Sequence, residues 1–288
     1  VGDLMEESKQ VRRLRRLSLT TVIKYAVLIA IVAIVFIPLS VILLSAFKTP
    51  PEMVQGTVFA LPKSLNLNNF TDSFKQAKVL LALKNTLLIT VTSVLLNVII
   101  GAMVSYIIAR FDFKAKKLVM SIFMVAMIVP FTTIEVARFS IVKNLGLYNT
   151  LWAPILIYVG ADLMQIFVYK QFIDKIPESL DESAMLDGAS YFTIFRKIIF
   201  PLIIPAALTV AIIKFVEISN DMYVPYLYIP SDKFRTLSTT LMVFQGDRTL
   251  DWGSLSAGVI WVILPALVIY FVFQKYIFSG LVAGASKE

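Results

Sequence analysis

Few residue types in this 288-residue chain could carry chemistry, and two are missing altogether: the chain holds no His and no Cys. Disulfides, thiolate zinc sites, Cys nucleophiles and any triad built on an imidazole are thereby excluded. No convincing pair of catalytic carboxylates stands out either. What remains is a handful of polar side chains set in apolar runs. Lys214 and Glu217 are three residues apart, a spacing that places both on one helical face, where they can pair. Asn220 and Asp221 follow and suit either a helix-end cap or the lining of a solute path. Asp162 and Gln165 carry the same two readings, because polar groups in lipid are costly and usually face a bundle interior or a cavity. Tyr223, Tyr226 and Tyr228 could stack on a sugar, but their expected role is to anchor a span at the interface.

The other polar feature is a stretch, "PESLDESAMLDGASYFTIFRKIIFP", at residues 177 to 201. Ser179 and Glu182 have the spacing of a capping box. Leu180, Ala184 and Met185 then fall on one side of a short helix, which Gly188 can end in the left-handed turn open to glycine. Ser190 can cap a second helix with Phe192, Phe195 and Ile199 as its apolar stripe, and Arg196 and Lys197 near the headgroups. Pro201 suits the first turn of the following span, where its missing N–H costs little. Such a helix–turn–helix can lie on a bilayer or enter a groove in another protein. The acidic run Glu178, Asp181, Glu182 and Asp187 favours the protein, since an anionic leaflet would repel it.

The elements around these residues are membrane spans. The chain is 58% hydrophobic and 16% charged, with a mean hydropathy of +0.81. Soluble domains are roughly half apolar and about a quarter charged. Six windows approach the roughly 20 apolar residues that a helix needs to cross a bilayer: about 23–46, 86–108, 118–137, 151–169, 201–220 and 256–274. The expected fold is all-α, a polytopic bundle of about six transmembrane helices. If the N-terminus is cytoplasmic, the segments inside hold 16 Lys and Arg against 10 outside, as the positive-inside rule requires. The largest contributions are Arg12, Arg13, Arg15 and Arg16, then Lys114, Lys116 and Lys117. Both termini and the 177–201 stretch are therefore expected inside. The net charge of +8 is then a matter of orientation beside lipid, not of nucleic acid. Residues 48–70 are expected to form an irregular surface connection.

The stretch "ESAMLDGASYFTIFRKIIFP" resembles the EAA loop of ABC importer permeases, a Glu-Ala-Ala, then a Gly, then Ile-x-Leu-Pro. Glu182, Ser183, Ala184, Gly188, Ile198 and Pro201 occupy the pattern, with Ser183 in place of an alanine and Phe200 in place of the leucine. Further on, "FVEISNDMYVPYLYI", "FRTLSTTLMVFQG", "DWGSLSAG" and "FQKYIFSGLVAGASK" are similar in order and spacing to the carbohydrate-importing branch, the six-span subunit of maltose type. Met222 stands where an aromatic residue is common. The likeness runs from about residue 20 to the end, specific at the loop and tail and diffuse elsewhere.

The resemblance implies a permease of type I importer fold, in the bacterial cytoplasmic (inner) membrane, with a coupling helix between spans 4 and 5. It implies a basic cytoplasmic segment at 1–22, a permease domain at 23–278 holding the coupling loop at 172–201, and a cytoplasmic tail at 279–288. The chain has no G-x-x-x-x-G-K-[ST] phosphate loop, so the resemblance places ATP and Mg on two partner ATPase subunits and no cofactor on this chain. A second permease subunit in a heterodimer, an extracytoplasmic sugar-binding protein, a carbohydrate and membrane lipid complete the partners. Leu180, Met185 and Leu186 are the expected knobs for the ATPase groove; Glu182 makes a polar contact, Ala184 allows close packing, Gly188 sets the angle, and Ser183 and Pro201 belong to the same coupling site. Gly280, Leu281 and Gly284 in the tail are expected to reach the ATPase. The rivals are an importer permease for a non-sugar solute and an ion-coupled secondary transporter, which would usually show internal repeats and buried ionisable groups.

Overall fold

The computed structural model describes residues 19–244 and 251–285, of which 19, 20, 131, 269 and 273–285 as backbone only. Among these residues every regular element is helical. Arg12, Arg13, Arg15 and Arg16 lie outside the described residues, and so do the side chains of the tail positions Gly280, Leu281 and Gly284.

Helix α1 (Leu19–Ala46) is apolar nearly throughout, and its Val, Ile and Leu side chains between 22 and 39 are exposed around the whole circumference. That is an impossible surface in water and an ordinary one in lipid. The connection that follows is not irregular, as the sequence suggested, but holds two short helices, α2 (Pro50–Gln55) and α3 (Asn68–Gln76). Side chains satisfy its backbone. Lys48 is 3% exposed and its Nζ donates to the carbonyls of Thr57 (3.1 Å) and Val58 (3.0 Å). Asn69 Nδ2 donates to the carbonyls of Ala46 (3.0 Å) and Lys48 (2.8 Å). Glu52 accepts from the N–H of Thr49 at 2.8 Å, from the N–H of Lys63 at 2.7 Å and from the Thr49 hydroxyl at 2.7 Å.

Those bonds favour the ionised form, the backbone bond from Thr49 most, and lower the Glu52 pKa from 4.5 to about 2. A carboxyl whose pKa is lowered by folding stabilises the fold fully above its unfolded value and loses that contribution as pH falls through the folded one. Hydrogen-exchange protection at the Thr49 and Lys63 amides is therefore expected to be constant above pH 4.5 and to decline toward pH 2. In Glu52→Gln it should be low at every pH.

Helix α4 (Val79–Arg110) is the hub. Thr86, Thr90, Ser93, Asn97, Gly101 and Ser105 recur every three or four residues and are all buried, while Leu87, Leu88, Val91, Leu95 and Ile99 are exposed. The small polar stripe lets neighbouring backbones approach, and the aliphatic face meets lipid.

The third crossing is two helices, α5 (Lys116–Ile128) and α6 (Phe131–Asn144), so the single span expected over 118–137 is corrected. The pair is bent by 109° at Pro130, which cannot donate an N–H and holds Val129 in an extended conformation (φ −70°, ψ 120°). The fourth crossing is α7 (Trp152–Tyr158) and α8 (Leu163–Ile173), bent by 52°. The 174–190 region contains α9 (Ser179–Leu186), and the fifth crossing joins α10 (Tyr191–Leu202) to α11 (Ile204–Asn220) at 77°. Pro201 lies before that bend; the proline in the first turn of α11 is Pro205. A short helix α12 (Tyr223–Tyr228) precedes the last crossing, α13 (Trp252–Ala285). With each bent pair counted once, the crossings number up to six. The main buried cluster lies where α4, α8, α10 and α11 meet, around Tyr106, Tyr169, Ile173, Ile194, Ile199 and Ala206. Helix α13 packs on α11 and α1.

Gly101 packs tightly against α8: a Cβ there would lie 2.2 to 2.4 Å from the amide atoms of Gln165. Gln165 is 1% exposed and has little room to withdraw. Gly101→Ala is expected to cost about 1–3 kcal/mol, the usual range for overpacking. Adding Gln165→Ala should recover part of that loss, a non-additivity readable in thermal denaturation midpoints in detergent.

Candidate functional site

Two regions gather the polar residues, one at the break in the fourth crossing and one at the 174–190 end. Asp162 caps α8: its Oδ1 accepts from the Gln165 N–H at 2.8 Å. Its other oxygen receives Lys214 Nζ at 2.7 Å, and Lys214 also reaches Glu217 at 2.8 Å. The i,i+3 pair read from the sequence is thus one arm of a three-membered bridge between α8 and α11. Asp221 is a turn acceptor, taking the N–H of Tyr223 (2.7 Å) through Oδ1 and the Tyr158 hydroxyl (2.7 Å) through Oδ2. Arg138, Tyr158, Asp162, Lys214, Glu217 and Asp221 line a cavity of about 330 Å³.

Of the four expected path residues, Asp162 and Asp221 line this cavity and Gln165 and Asn220 do not. Gln165 turns into the core, where its Nε2 donates to the carbonyl (3.1 Å) and the Oδ1 (3.0 Å) of Asn97. Asn220 Nδ2 folds back on the Val216 carbonyl at 2.9 Å. Asn97 is one of the residues that sequence reasoning missed. Its Nδ2 donates to the carbonyls of Gly160 (2.8 Å) and Tyr158 (3.2 Å), the groups released by the break. Its three-and-four spacing within the polar stripe of α4 was the available signal.

Tyr228 is not an interfacial anchor. It is fully buried, donates to Glu135 at 2.6 Å and accepts from Arg138 Nε at 3.2 Å. Glu135 and Arg138 also pair directly. Both stand three apart at the end of an apolar window, the pattern that should have drawn attention to them. Tyr223 and Tyr226 are exposed, as an anchoring role requires.

At the other end, the helix–glycine–helix is present. Gly188 has φ +80°, its N–H donates to the Met185 carbonyl at 3.0 Å, and the Ala189 N–H to the Ala184 carbonyl at 2.9 Å. This is the six-to-one, five-to-two pattern of a Schellman turn. Ser190 caps the second helix by accepting from the Thr193 N–H at 3.3 Å. The capping box of Ser179 and Glu182 is absent. Glu178 is already helical (φ −64°, ψ −23°) and is the residue before α9, so Ser179 lies inside the helix and its carbonyl accepts from the Ser183 hydroxyl at 2.7 Å.

The buried side of α9 also differs from the expected one. Asp181 is 6% exposed and Ala184 is half-buried against the core, while Leu180, Met185 and Leu186 are 43%, 40% and 90% exposed. Glu182 and Ser183 are exposed. The cause is Arg110, the last residue of α4. Its Nε meets Asp181 Oδ2 at 2.9 Å, its Nη2 donates to the Ile176 carbonyl at 2.6 Å, and its Nη1 lies 3.7 Å from Glu178. Asp181 is thereby withdrawn from the acidic surface run. In the second helix a π turn at Phe195–Ile199 rotates the stripe, burying Ile194, Phe195 and Ile199 and leaving Phe192 61% exposed. Pro201 is exposed.

Up to six helical crossings, three of them broken, with polar groups gathered at one break, make this a polytopic helical bundle of membrane type. Residues 97–282 match the family model described as "Binding-protein-dependent transport system inner membrane component", and the chain belongs to that family. It is an integral membrane transport component and not an enzyme. The probable starch degradation products transport system permease protein AmyC of Thermoanaerobacterium thermosulfurigenes is 34% identical, over 87% of this chain and 91% of that one. The melibiose/raffinose/stachyose import permease protein MelC of Bacillus subtilis is 32% identical, over 88% and 91%. The maltodextrin transport system permease protein MalD of Streptococcus pneumoniae is 30% identical, over 93% and 96%. Among solved structures, a bacterial ABC transporter that imports the acidic polysaccharide alginate has a chain of the same fold. Its TM-score is 0.80 at 19% identity, covering 91% of this chain and 98% of that one.

Proposed function

We propose that this chain is one of two permease subunits of an ATP-driven, binding-protein-dependent importer of a carbohydrate, an oligosaccharide by preference. One observation carries the reading: relatives matched over nearly their whole length are named for starch products, raffinose-type oligosaccharides and maltodextrin. The chain sits in the cytoplasmic membrane with both termini and α9 inside. A partner permease supplies the other half of the path. Two ATPase subunits bind ATP and Mg, and an extracytoplasmic binding protein delivers the sugar.

Energy reaches the path through the 172–201 loop. Leu180, Met185 and Leu186 enter the ATPase groove, Glu182 makes a polar contact at its rim, and Ser183 and Ala184 keep the packing close. Gly188 fixes the angle at which the second helix leads through Pro201 into the fifth crossing. The tail residues Gly280, Leu281 and Gly284 add a second contact. Supporting this division of labour is the tether between Arg110 and Asp181, which ties the loop to α4 so that movement of one is felt by the other.

Mild-detergent purification from native membranes tests the whole reading. The expected result is co-purification of a second permease and a P-loop ATPase, with sugar-stimulated ATP hydrolysis once the binding protein is added. Recovery of this chain alone, active in ion-driven uptake, would make it a secondary transporter.

A further inference from the structure

We propose that the cavity at the break between α7 and α8 is a saccharide-binding site of this subunit itself, accepting neutral, hydroxyl-rich solutes and rejecting acidic ones. The proposal rests on the importer reading above and adds to it a place and a charge rule.

Non-helical backbone at membrane depth persists where it lines a cavity or is buried in protein. Here it lines a cavity: Gly160 is exposed in its wall, and Asn97 satisfies the released carbonyls of Tyr158 and Gly160 from behind. A Cβ on Gly160 would meet nothing within 4 Å, so the backbone at the break faces open space. The volume, about 330 Å³, sits at the lower end of the roughly 300–1,000 Å³ of small-ligand clefts.

The lining suits hydroxyl groups. Lys214 Nζ lies between Asp162 (2.7 Å) and Glu217 (2.8 Å), so donor and acceptors stand side by side. The Glu217 side chain is 62% exposed and keeps acceptor capacity toward the opening. A sugar hydroxyl both donates and accepts, and can enter such a network without leaving a charge unmatched. Ile157, Ile218 and Val224 add apolar surface for the C–H face of a ring. The charge balance then selects. Asp162, Glu217 and Asp221 stand against Lys214 and Arg138 in the lining, and Arg138 also pairs with Glu135. A uronic acid carboxylate would add one more like charge to that excess of carboxylates.

The absence of native Cys allows a direct test. Gly160→Cys, and separately Ser64→Cys at an exposed position between α2 and α3 as a control, are made in the full transporter. Each is reconstituted in nanodiscs with its partner subunits and binding protein. ATP hydrolysis and the rate of labelling by a methanethiosulfonate reagent are then followed with maltotriose, raffinose or trigalacturonate. Occupancy slows labelling by a factor of 1 + [L]/Kd, about tenfold at ten times Kd. The expected result is that a neutral sugar which stimulates hydrolysis slows labelling in the Gly160→Cys protein but not in the Ser64→Cys control, and that trigalacturonate does neither. Stimulation by a neutral sugar with no protection of the thiol at position 160 overturns the site and leaves the importer reading standing. Equal protection by trigalacturonate overturns the charge rule. No response of hydrolysis to any saccharide removes the carbohydrate reading, and the site with it.

Discussion

Gly188→Val is expected to leave the subunit in the membrane at normal abundance while sugar-stimulated ATP hydrolysis and uptake fall at least about tenfold. The residue holds φ +80° and closes the Schellman turn through its own N–H and that of Ala189. A β-branched residue is a genuine outlier in that conformation, at a cost of roughly 1–2 kcal/mol for an L-residue. A Cβ at this position would meet no atom within 4 Å, so the penalty is conformational and not a clash. Valine would relieve it by letting the turn reopen and changing the angle between α9 and α10. That change redirects Leu180, Met185 and Leu186 without touching the buried cluster, which is why assembly survives. Gly188→Asn is the discriminating control, because asparagine tolerates the left-handed region. It should retain most activity. If the valine and asparagine variants behave alike, the backbone angle at Gly188 does not carry coupling.

That turn was legible in the sequence because its determinants are local. One glycine, one serine cap and two short amphipathic segments lie close together in the 177–201 stretch, and each acts on its own neighbours. The long apolar helices were legible for the same reason, since any window of Leu, Ile and Val announces itself. The bends were not. Counting apolar residues across 118–137 treats Pro130 as one more position, whereas its missing N–H splits the crossing into α5 and α6. The same averaging hid the polar stripe of α4, where Asn97 and Ser105 are outweighed by the aliphatic residues between them.

The remaining errors have a common cause in distance along the chain. Tyr228 looks like an interfacial tyrosine until Glu135, 93 residues earlier, accepts its hydroxyl. The Ser179–Glu182 spacing is a true capping pattern, yet Glu178 is already helical and the first turn starts at Pro177, whose carbonyl receives the Leu180 N–H at 3.2 Å. Asp181 looked like one of four surface carboxylates, and a single arginine 71 residues away removes it from the surface. Local pattern identified the elements; which side of each is buried was decided by partners the pattern does not contain.

Arg110 is the place where that long-range decision can be tested. Its side chain is 7% exposed and that of Asp181 is 9% exposed, so neither charge has ready access to water. Arg110→Ala leaves Asp181 buried beside an apolar side chain, and breaking such a pair costs roughly 3–5 kcal/mol. The expected outcome is lower abundance in the membrane and, in the protein that remains, ATP hydrolysis no longer stimulated by sugar. Arg110→Lys should fall between the two. Its single ammonium can keep the contact with Asp181 but lacks the fork that also reaches the Ile176 carbonyl. Lost abundance alone would fit a merely structural pair, so the double variant Arg110→Met with Asp181→Leu separates the two roles. Replacing a buried pair by apolar groups of similar volume is often neutral or stabilising, and abundance should recover. Coupling should not, because the directed bonds to Asp181 and the Ile176 carbonyl fix where α9 sits relative to α4, and a slippery apolar contact does not. Full recovery of sugar-stimulated hydrolysis in the double variant would reduce Arg110 to glue.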